Sequence, residues 1–122
     1  MATVCGDAKC GLLLDLNNAY VNQRNLNENL DDFIAQLPIA KVKEIHLAGY
    51  SEYEDILVDT HSAMVSNDVW ECYRQFCTHN YAIPCLIEWD SNLPSFAVLM
   101  EQRLIAQQIV DQSATQPIAS LN

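Results

Sequence analysis

The stretch Gly11-Leu12-Leu13-Leu14-Asp15 is a continuous apolar run that ends in an acidic residue. A continuous run, unlike an alternating one, is typical of a strand buried on both faces of a parallel sheet. Val42–Leu47, which Gly49 breaks, and Cys85–Ile87, which Pro84 introduces, are two more short predicted strands. The three stretches together predict the strands of a parallel sheet.

Helical periodicity separates these predicted strands. Apolar side chains recur at helical spacing within residues 30–37, 69–77 and 96–109, and Asn29 is suited to cap the first of these helices. Residues 22–29 are polar and rich in asparagine, which predicts a loop. The resulting order β-α-β-α-β-α predicts an α/β fold in which outer helices cover parallel strands, since a parallel crossover must bring the chain back.

The composition excludes several classes of protein. The 122 residues include 16 acidic and only 6 basic side chains, a net charge of -10, which argues against binding to nucleic acid or to an anionic membrane. No apolar run approaches the roughly 18–20 residues of a membrane span. The five cysteines form no CxxC pair, and the first residues do not resemble a secretion signal. We therefore expect a cytoplasmic protein with reduced thiols.

Polar side chains follow each predicted strand. Asp15, Asn17 and Asn18 follow the first strand, His46 lies near the end of the second, and Glu88 follows the third. Because the carboxyl ends of parallel strands lie at one face of such a fold, these side chains are expected to converge there.

A further short extended segment, Ile56–Val58, leads into Asp59-Thr60-His61. Asp59 and His61 are two residues apart, so an extended backbone points both side chains to the same side. Two histidines with several carboxylates and an amide suit divalent iron, manganese or zinc better than calcium. A bridging carboxylate could hold two metal ions.

Each of these residues also has an ordinary structural interpretation. Asp15 could cap a helix, and Asn17 and Asn18 are common turn residues. His46 could be a buried histidine with satisfied hydrogen bonds. Glu88 would need a cation or a donor if it were buried, because an unpaired buried carboxylate costs several kcal/mol. The shared position at strand ends is what favours a metal site.

Five segments, taken in order, resemble successive motifs of one family. The family is a group of uncharacterised proteins with a xylose isomerase-like barrel that includes the methanobactin biosynthesis oxidase. The resemblance covers about residues 10–108 and corresponds to the C-terminal half of the family barrel. The segments are Leu12-Leu13-Leu14-Asp15-Leu16-Asn17-Asn18-Ala19-Tyr20-Val21-Asn22, Glu44-Ile45-His46-Leu47-Ala48-Gly49, Asp59-Thr60-His61, Val69-Trp70 and Ile87-Glu88-Trp89-Asp90.

The resemblance implies a partial TIM barrel built from the later β/α units. Residues 1–112 would form the C-terminal half of that domain, and residues 113–122 a flexible tail. A complete (β/α)₈ barrel needs roughly 200–250 residues. Open sheet edges are therefore expected to favour association with a missing N-terminal half or with another copy of the chain.

The resemblance also implies an activity. Characterised members are multinuclear non-haem iron oxidases, with two or three iron ions, that use dioxygen to modify cysteine residues of a ribosomally made peptide. A small partner protein presents that peptide. We expect the isolated chain to be inactive. Two other functions stay open: a non-catalytic assembly or metal-binding module that completes a barrel with a separately encoded first half, and a metal-dependent sugar isomerase-like or endonuclease-like barrel.

The resemblance assigns particular residues to the metal centre. Asn17 is an alternative to Asn18, and Asp90 would support a ligand or stabilise the structure. Tyr50 stands where the family usually has a second histidine. The metal ligands implied by the resemblance are Asp15, Asn18, His46, Asp59, His61 and Glu88.

Overall fold

The computed structural model describes residues 11–80 and 82–115. Strands β1 (Leu12–Asp15), β2 (Val42–Leu47) and β5 (Cys85–Ile87) form a parallel sheet in the order β1-β2-β5. The three predicted strands are thus confirmed, as is the α/β class. This open parallel sheet with its helices is consistent with a partial barrel.

The described residues form four α-helices in addition to the strands. Asn29 caps α2 as predicted, because its side-chain oxygen accepts a hydrogen bond of 2.7 Å from the backbone N–H of Asp31. A 3₁₀ turn, Ile39–Lys41, leads into β2. No helix within residues 11–80 and 82–115 is long and apolar enough to cross a membrane. The helices are α1 (Leu16–Asn25), α2 (Leu30–Ala35), α3 (Asn67–Asn80) and α4 (Phe96–Thr115).

The predicted loop over residues 22–29 is wrong in its first half, because α1 continues to Asn25. Asp15 caps this helix by accepting a 2.9 Å hydrogen bond from the backbone N–H of Asn18. The Asn22 side chain donates to the Asn18 side chain one turn earlier, at 3.1 Å. These polar residues therefore bond along the helix rather than forming a turn.

At the other end of the chain, α4 continues to Thr115. The helix thus extends three residues beyond the start of the predicted tail, and residues 116–122 lie outside the described residues.

The hydrophobic core lies on one face of the sheet. Ile45 and Leu47 on β2 are fully buried, and they belong to one cluster with Val69 and Tyr73 of α3 and Ile109 of α4. This packing fixes the positions of the three strand ends relative to one another.

The opposite face of the sheet differs from the prediction. The side chains of Leu13 on β1 and Leu86 on β5 are 46% and 47% exposed, so the expectation that these strands are buried on both faces is wrong. The reason is that nothing in the described part of the chain fully covers this face.

A β-hairpin connects the sheet to the segment that contains Asp59 and His61. Strand β3 (Ser51–Tyr53), which the sequence did not predict, pairs antiparallel with β4 (Ile56–Val58). The Asn25 side chain donates to the backbone oxygen of Leu57 at 2.7 Å and accepts from its N–H at 2.9 Å. This pair of bonds anchors the hairpin to α1, so that the chain returns to the carboxyl end of the sheet.

Candidate metal centre

The polar residues at the strand ends lie close together. The parallel register places Asp15 beside His46 on the neighbouring strand, and Glu88 follows β5 directly. The N–H of Glu88 donates to the backbone oxygen of Leu47 at 2.8 Å, which extends the sheet by one bond. The sheet itself therefore positions three of the six expected ligands.

His61 lies at the centre of the cluster and contacts four carboxylates. Its Nε2 atom lies 2.9 Å from Oδ1 of Asp59 and 3.9 Å from Oδ2 of Asp15. Its Nδ1 atom lies 3.1 Å from Oε2 of Glu88 and 3.0 Å from Oδ2 of Asp90. The imidazole thus joins two groups of acidic side chains.

The backbone holds His61 in an unusual conformation. Its φ angle is 53°, in the left-handed region that non-glycine residues seldom adopt. The His61 N–H donates to the backbone oxygen of Gly49 at 3.1 Å, and the His61 carbonyl accepts from the N–H of Asp90 at 2.7 Å. Backbone strain of this kind persists only where the surroundings hold it, and it is common at functional sites.

His46 is the second histidine of the cluster. Its Nδ1 atom contacts Oε1 of Glu88, and its Nε2 atom lies 3.2 Å from Oε1 of Glu44. Glu88 therefore contacts both histidines, since its other carboxylate oxygen faces His61. This bridging position of Glu88 is suited to a centre with more than one ion.

Asn17 and Asn18 both contact Asp59. The buried Asn17 amide nitrogen donates to Oδ1 of Asp59 and, at 3.1 Å, to the backbone oxygen of Gly49. The exposed Asn18 amide nitrogen donates to Oδ2 of Asp59 at 3.1 Å, and its oxygen accepts from Asn22. The Asn17 side-chain oxygen is buried without a hydrogen-bond partner. Both amides thus hold Asp59, so Asn17 and Asn18 remain alternative ligands.

The acid–base properties of the cluster follow from its crowding. Burial raises the pKa of Asp15, and the neighbouring carboxylates of Asp59 and Glu88 act in the same direction, against the hydrogen bond from Asn18. Burial by itself lowers the pKa of His61, but the negative charges around the ring outweigh it and raise the pKa. A positive charge is therefore favoured at the centre of the cluster.

The donor set fits a divalent transition metal. Two groups of side chains each bring their ligand atoms within 4.8 Å of one another, and His61 belongs to both. The mixture of imidazole nitrogen and carboxylate oxygen suits iron, manganese or zinc. The crowded carboxylates and the unpartnered Asn17 oxygen also favour a bound cation. The two groups are Asp15 with Asp59 and His61, and His61 with Glu88 and Asp90.

Two residues in direct contact with the cluster were not assigned to it as ligands from the sequence. Glu44 precedes His46 by two residues, so the alternation of β2 places both on one face, and this spacing could have indicated the contact. Asp90 was expected to support a ligand or to stabilise the structure, and its carboxylate contacts the ring of His61. Tyr50, at the position where the resemblance expects a second histidine, packs its ring on Tyr20 with the ring centres 5.6 Å apart.

The thiols of α3 and β5 are expected to react slowly at neutral pH. Burial, together with nearby acidic side chains, raises the pKa of Cys72 to about 11, and burial raises that of Cys85 to about 11 against a hydrogen bond from Tyr73. Since only the thiolate reacts, alkylation at pH 8 should be about 100-fold slower than for an unperturbed thiol and should accelerate as the pH rises toward 11.

Iodoacetamide labelling followed by peptide mass spectrometry measures these rates residue by residue, and the urea-unfolded chain is the matched control. Equal rates at pH 8 for the folded and unfolded chains would contradict the prediction.

Comparison with known proteins places the chain in a family. Residues 1–111 match the profile of a family described as RiPP precursor modification enzyme MbnB/TglH/ChrH, where RiPP denotes a ribosomally made, modified peptide. The chain is 48% identical over 101 residues to a UPF0276 protein of Chromobacterium violaceum, and 45% identical over 102 residues to a UPF0276 protein of Acaryochloris marina. These alignments cover 83% and 84% of this chain but 37% of each relative.

The chain therefore spans little more than a third of the length of the curated relatives that it matches. The resemblance seen in the sequence is confirmed, and the chain belongs to the MbnB/TglH/ChrH family of RiPP precursor modification enzymes.

Proposed function

We propose that this chain provides part of the iron centre of an enzyme that uses dioxygen to modify cysteine residues of a ribosomally made peptide. The observation that supports this proposal best is the convergence of His46 and His61 with several carboxylates at the carboxyl end of the sheet. The proposed ligands are Asp15, Asn18, His46, Asp59, His61 and Glu88, with Asn17 as the alternative to Asn18.

The side chains around His61 can prepare it for a metal ion. If Nδ1 carries the proton, it donates to the Asp90 carboxylate, and the Nε2 lone pair then faces the side of Asp15 and Asp59. Asn17 and Asn18 donate to Asp59 and so fix the direction of its oxygens. Bound iron would supply redox chemistry and lower the pKa of a coordinated cysteine thiol.

The substrate and the partner belong to the proposal. Family membership supports a ribosomally made peptide as substrate, and we propose that a small partner protein presents it. Because this chain spans 37% of the relatives' length, we expect turnover only when the rest of the barrel is present. The family match favours peptide modification over a sugar isomerase-like function.

Iron content tests the metal-binding part of this proposal. The 122-residue chain would be loaded with ferrous iron, desalted under nitrogen and analysed for iron, manganese and zinc by mass spectrometry. We expect retained iron in stoichiometric amounts. A folded chain that retains none of the three metals would overturn the proposal. Oxygen uptake with a cysteine-containing peptide, measured with and without a full-length relative, tests the activity.

A second candidate is an assembly module without catalytic activity. A mainly apolar cavity of about 560 Å³ lies between β5 and α4, at the open edge of the sheet and away from the proposed ligands. Together with the exposed side chains of Leu13 and Leu86, it offers apolar surface to another part of a barrel. A chain that binds no metal but forms a stable complex with a separately expressed N-terminal half would favour this function.

A further inference from the structure

We propose that Glu44 is a positioning residue that fixes the proton of His46 on Nε2, so that Nδ1 is free to bind a metal ion. This inference rests on the proposed metal-binding function. Glu44 and His46 are two residues apart on β2, so both side chains lie on the face of the sheet that carries the cluster. The Glu44 Oε1 atom lies 3.2 Å from His46 Nε2, which is within reach of a charge-assisted hydrogen bond.

The two ring nitrogens of His46 have different carboxylate partners. His46 faces a carboxylate at each ring nitrogen, Glu88 at Nδ1 and Glu44 at Nε2. A neutral imidazole has one N–H, so it can donate to only one of these two carboxylates. If a cation lies between Nδ1 and Glu88, Nδ1 must supply its lone pair, and the remaining N–H must point at Glu44.

The neighbours of His46 indicate which of its ring nitrogens faces the proposed metal ion. Glu88 also contacts His61, and these two residues belong with Asp90 to a group whose ligand atoms lie within 4.8 Å of one another. Among the described residues, neither metal-capable group includes Glu44 or His46, and His46 is joined to the second group through its Nδ1 contact with Glu88. The Glu44 side chain is 46% exposed, whereas that of Glu88 is 22% exposed. The Nδ1 side therefore faces the cluster and the Nε2 side faces away from it.

A carboxylate behind a ligating histidine has two effects. It holds the ring in one orientation and one tautomer, and it makes the ligating nitrogen more basic. Loss of such a partner typically weakens metal binding by about 10- to 100-fold. We expect Glu44→Ala to weaken the binding of ferrous iron by this factor, while Glu44→Gln, which keeps an acceptor oxygen without the charge, retains part of the affinity.

The first experiment reads the tautomer directly and needs no metal. The chain has three histidines, so ¹⁵N-histidine labelling gives a simple long-range ¹H–¹⁵N spectrum, recorded in alkaline solution. Glu44→Ala should increase the Nδ1–H fraction of His46, because Glu88 is then the remaining acceptor. Glu44→Gln should restore the wild-type tautomer in part.

The second experiment is a calorimetric titration with ferrous iron under nitrogen. The matched control is Glu101→Ala, which removes the same charge from the exposed face of α4. Thermal unfolding shows whether each variant folds. If Glu44→Ala leaves both the tautomer and the iron affinity of the folded chain at wild-type values, the inference fails. If the wild-type chain binds no iron, the proposed function fails, and the tautomer spectrum still decides the role of Glu44.

Discussion

Replacing His61 with alanine is expected to remove most of the affinity of the chain for ferrous iron. His61 is the one side chain that both metal-capable groups share, so its loss leaves each group with carboxylates alone. Removal of a supporting residue outside the ligand set already costs about 10- to 100-fold, so loss of this central ligand should cost about 100-fold or more. Anaerobic calorimetric titration with ferrous iron measures the change.

Two further variants make the result specific. His79→Ala removes an exposed histidine from the last turn of α3 and should leave the iron affinity unchanged. His61→Asn keeps a residue type that tolerates the left-handed backbone at φ 53°, so it separates loss of the imidazole from the backbone strain that alanine adds. Wild-type iron affinity in a folded His61→Ala chain would show that the centre does not depend on this residue.

Strands β1 and β5 could be predicted because short, continuous apolar runs end abruptly in an acidic residue, and β2 because Gly49 breaks the pattern after it. The last turn of α1 was not predicted. Its asparagine and glutamine side chains predicted a loop, although Gln23 is buried in the structure. A polar helix face of this kind is stabilised by contacts with other parts of the chain, such as the bonds between Asn25 and Leu57. Local sequence patterns do not contain those contacts.

The same distinction applies to the candidate site. Positions at the ends of parallel strands can be predicted from the order of the elements, and Asp15, His46 and Glu88 were found in this way. The geometry at His61 depends on tertiary hydrogen bonds to Gly49 and Asp90, which are 12 and 29 residues away. No spacing rule predicts that one ring would contact four carboxylates, because the contacts come from three separate segments.

The face of the sheet that carries Leu13 and Leu86 shows a further limit. A continuous apolar run indicates that both faces of a strand are suited to burial, but it does not identify the segments that cover them. Here one face is covered by α3 and α4, and the other is half exposed in the described residues. The exposed face is also the one that carries His46 and Glu44, so the apolar surface proposed to contact the rest of a barrel lies beside the candidate metal centre.

Replacing Gly49 with alanine is expected to lower the free energy of unfolding and to weaken metal binding at the same time. A Cβ atom at this position would lie 2.2 Å from the backbone oxygen of Ala63 and 2.5 Å from that of Met64, so the backbone itself would have to move. Overpacking of this kind typically costs 1–3 kcal/mol, and we expect about 3 kcal/mol because no flexible side chain can yield.

The Gly49 substitution also reaches the site directly, because the Gly49 carbonyl accepts hydrogen bonds from the His61 N–H and from the Asn17 amide, both at 3.1 Å. Moving this carbonyl should displace His61 and lower the affinity for ferrous iron. Gly11→Ala is the matched control, since its Cβ would lie 2.6 Å from Cγ of Lys43, a side-chain atom, and would meet no backbone atom closer than 3.7 Å. Urea unfolding and iron titration compare the two variants. Equal stability and equal iron affinity for both variants would show that the close packing of the backbone at Gly49 does not position His61.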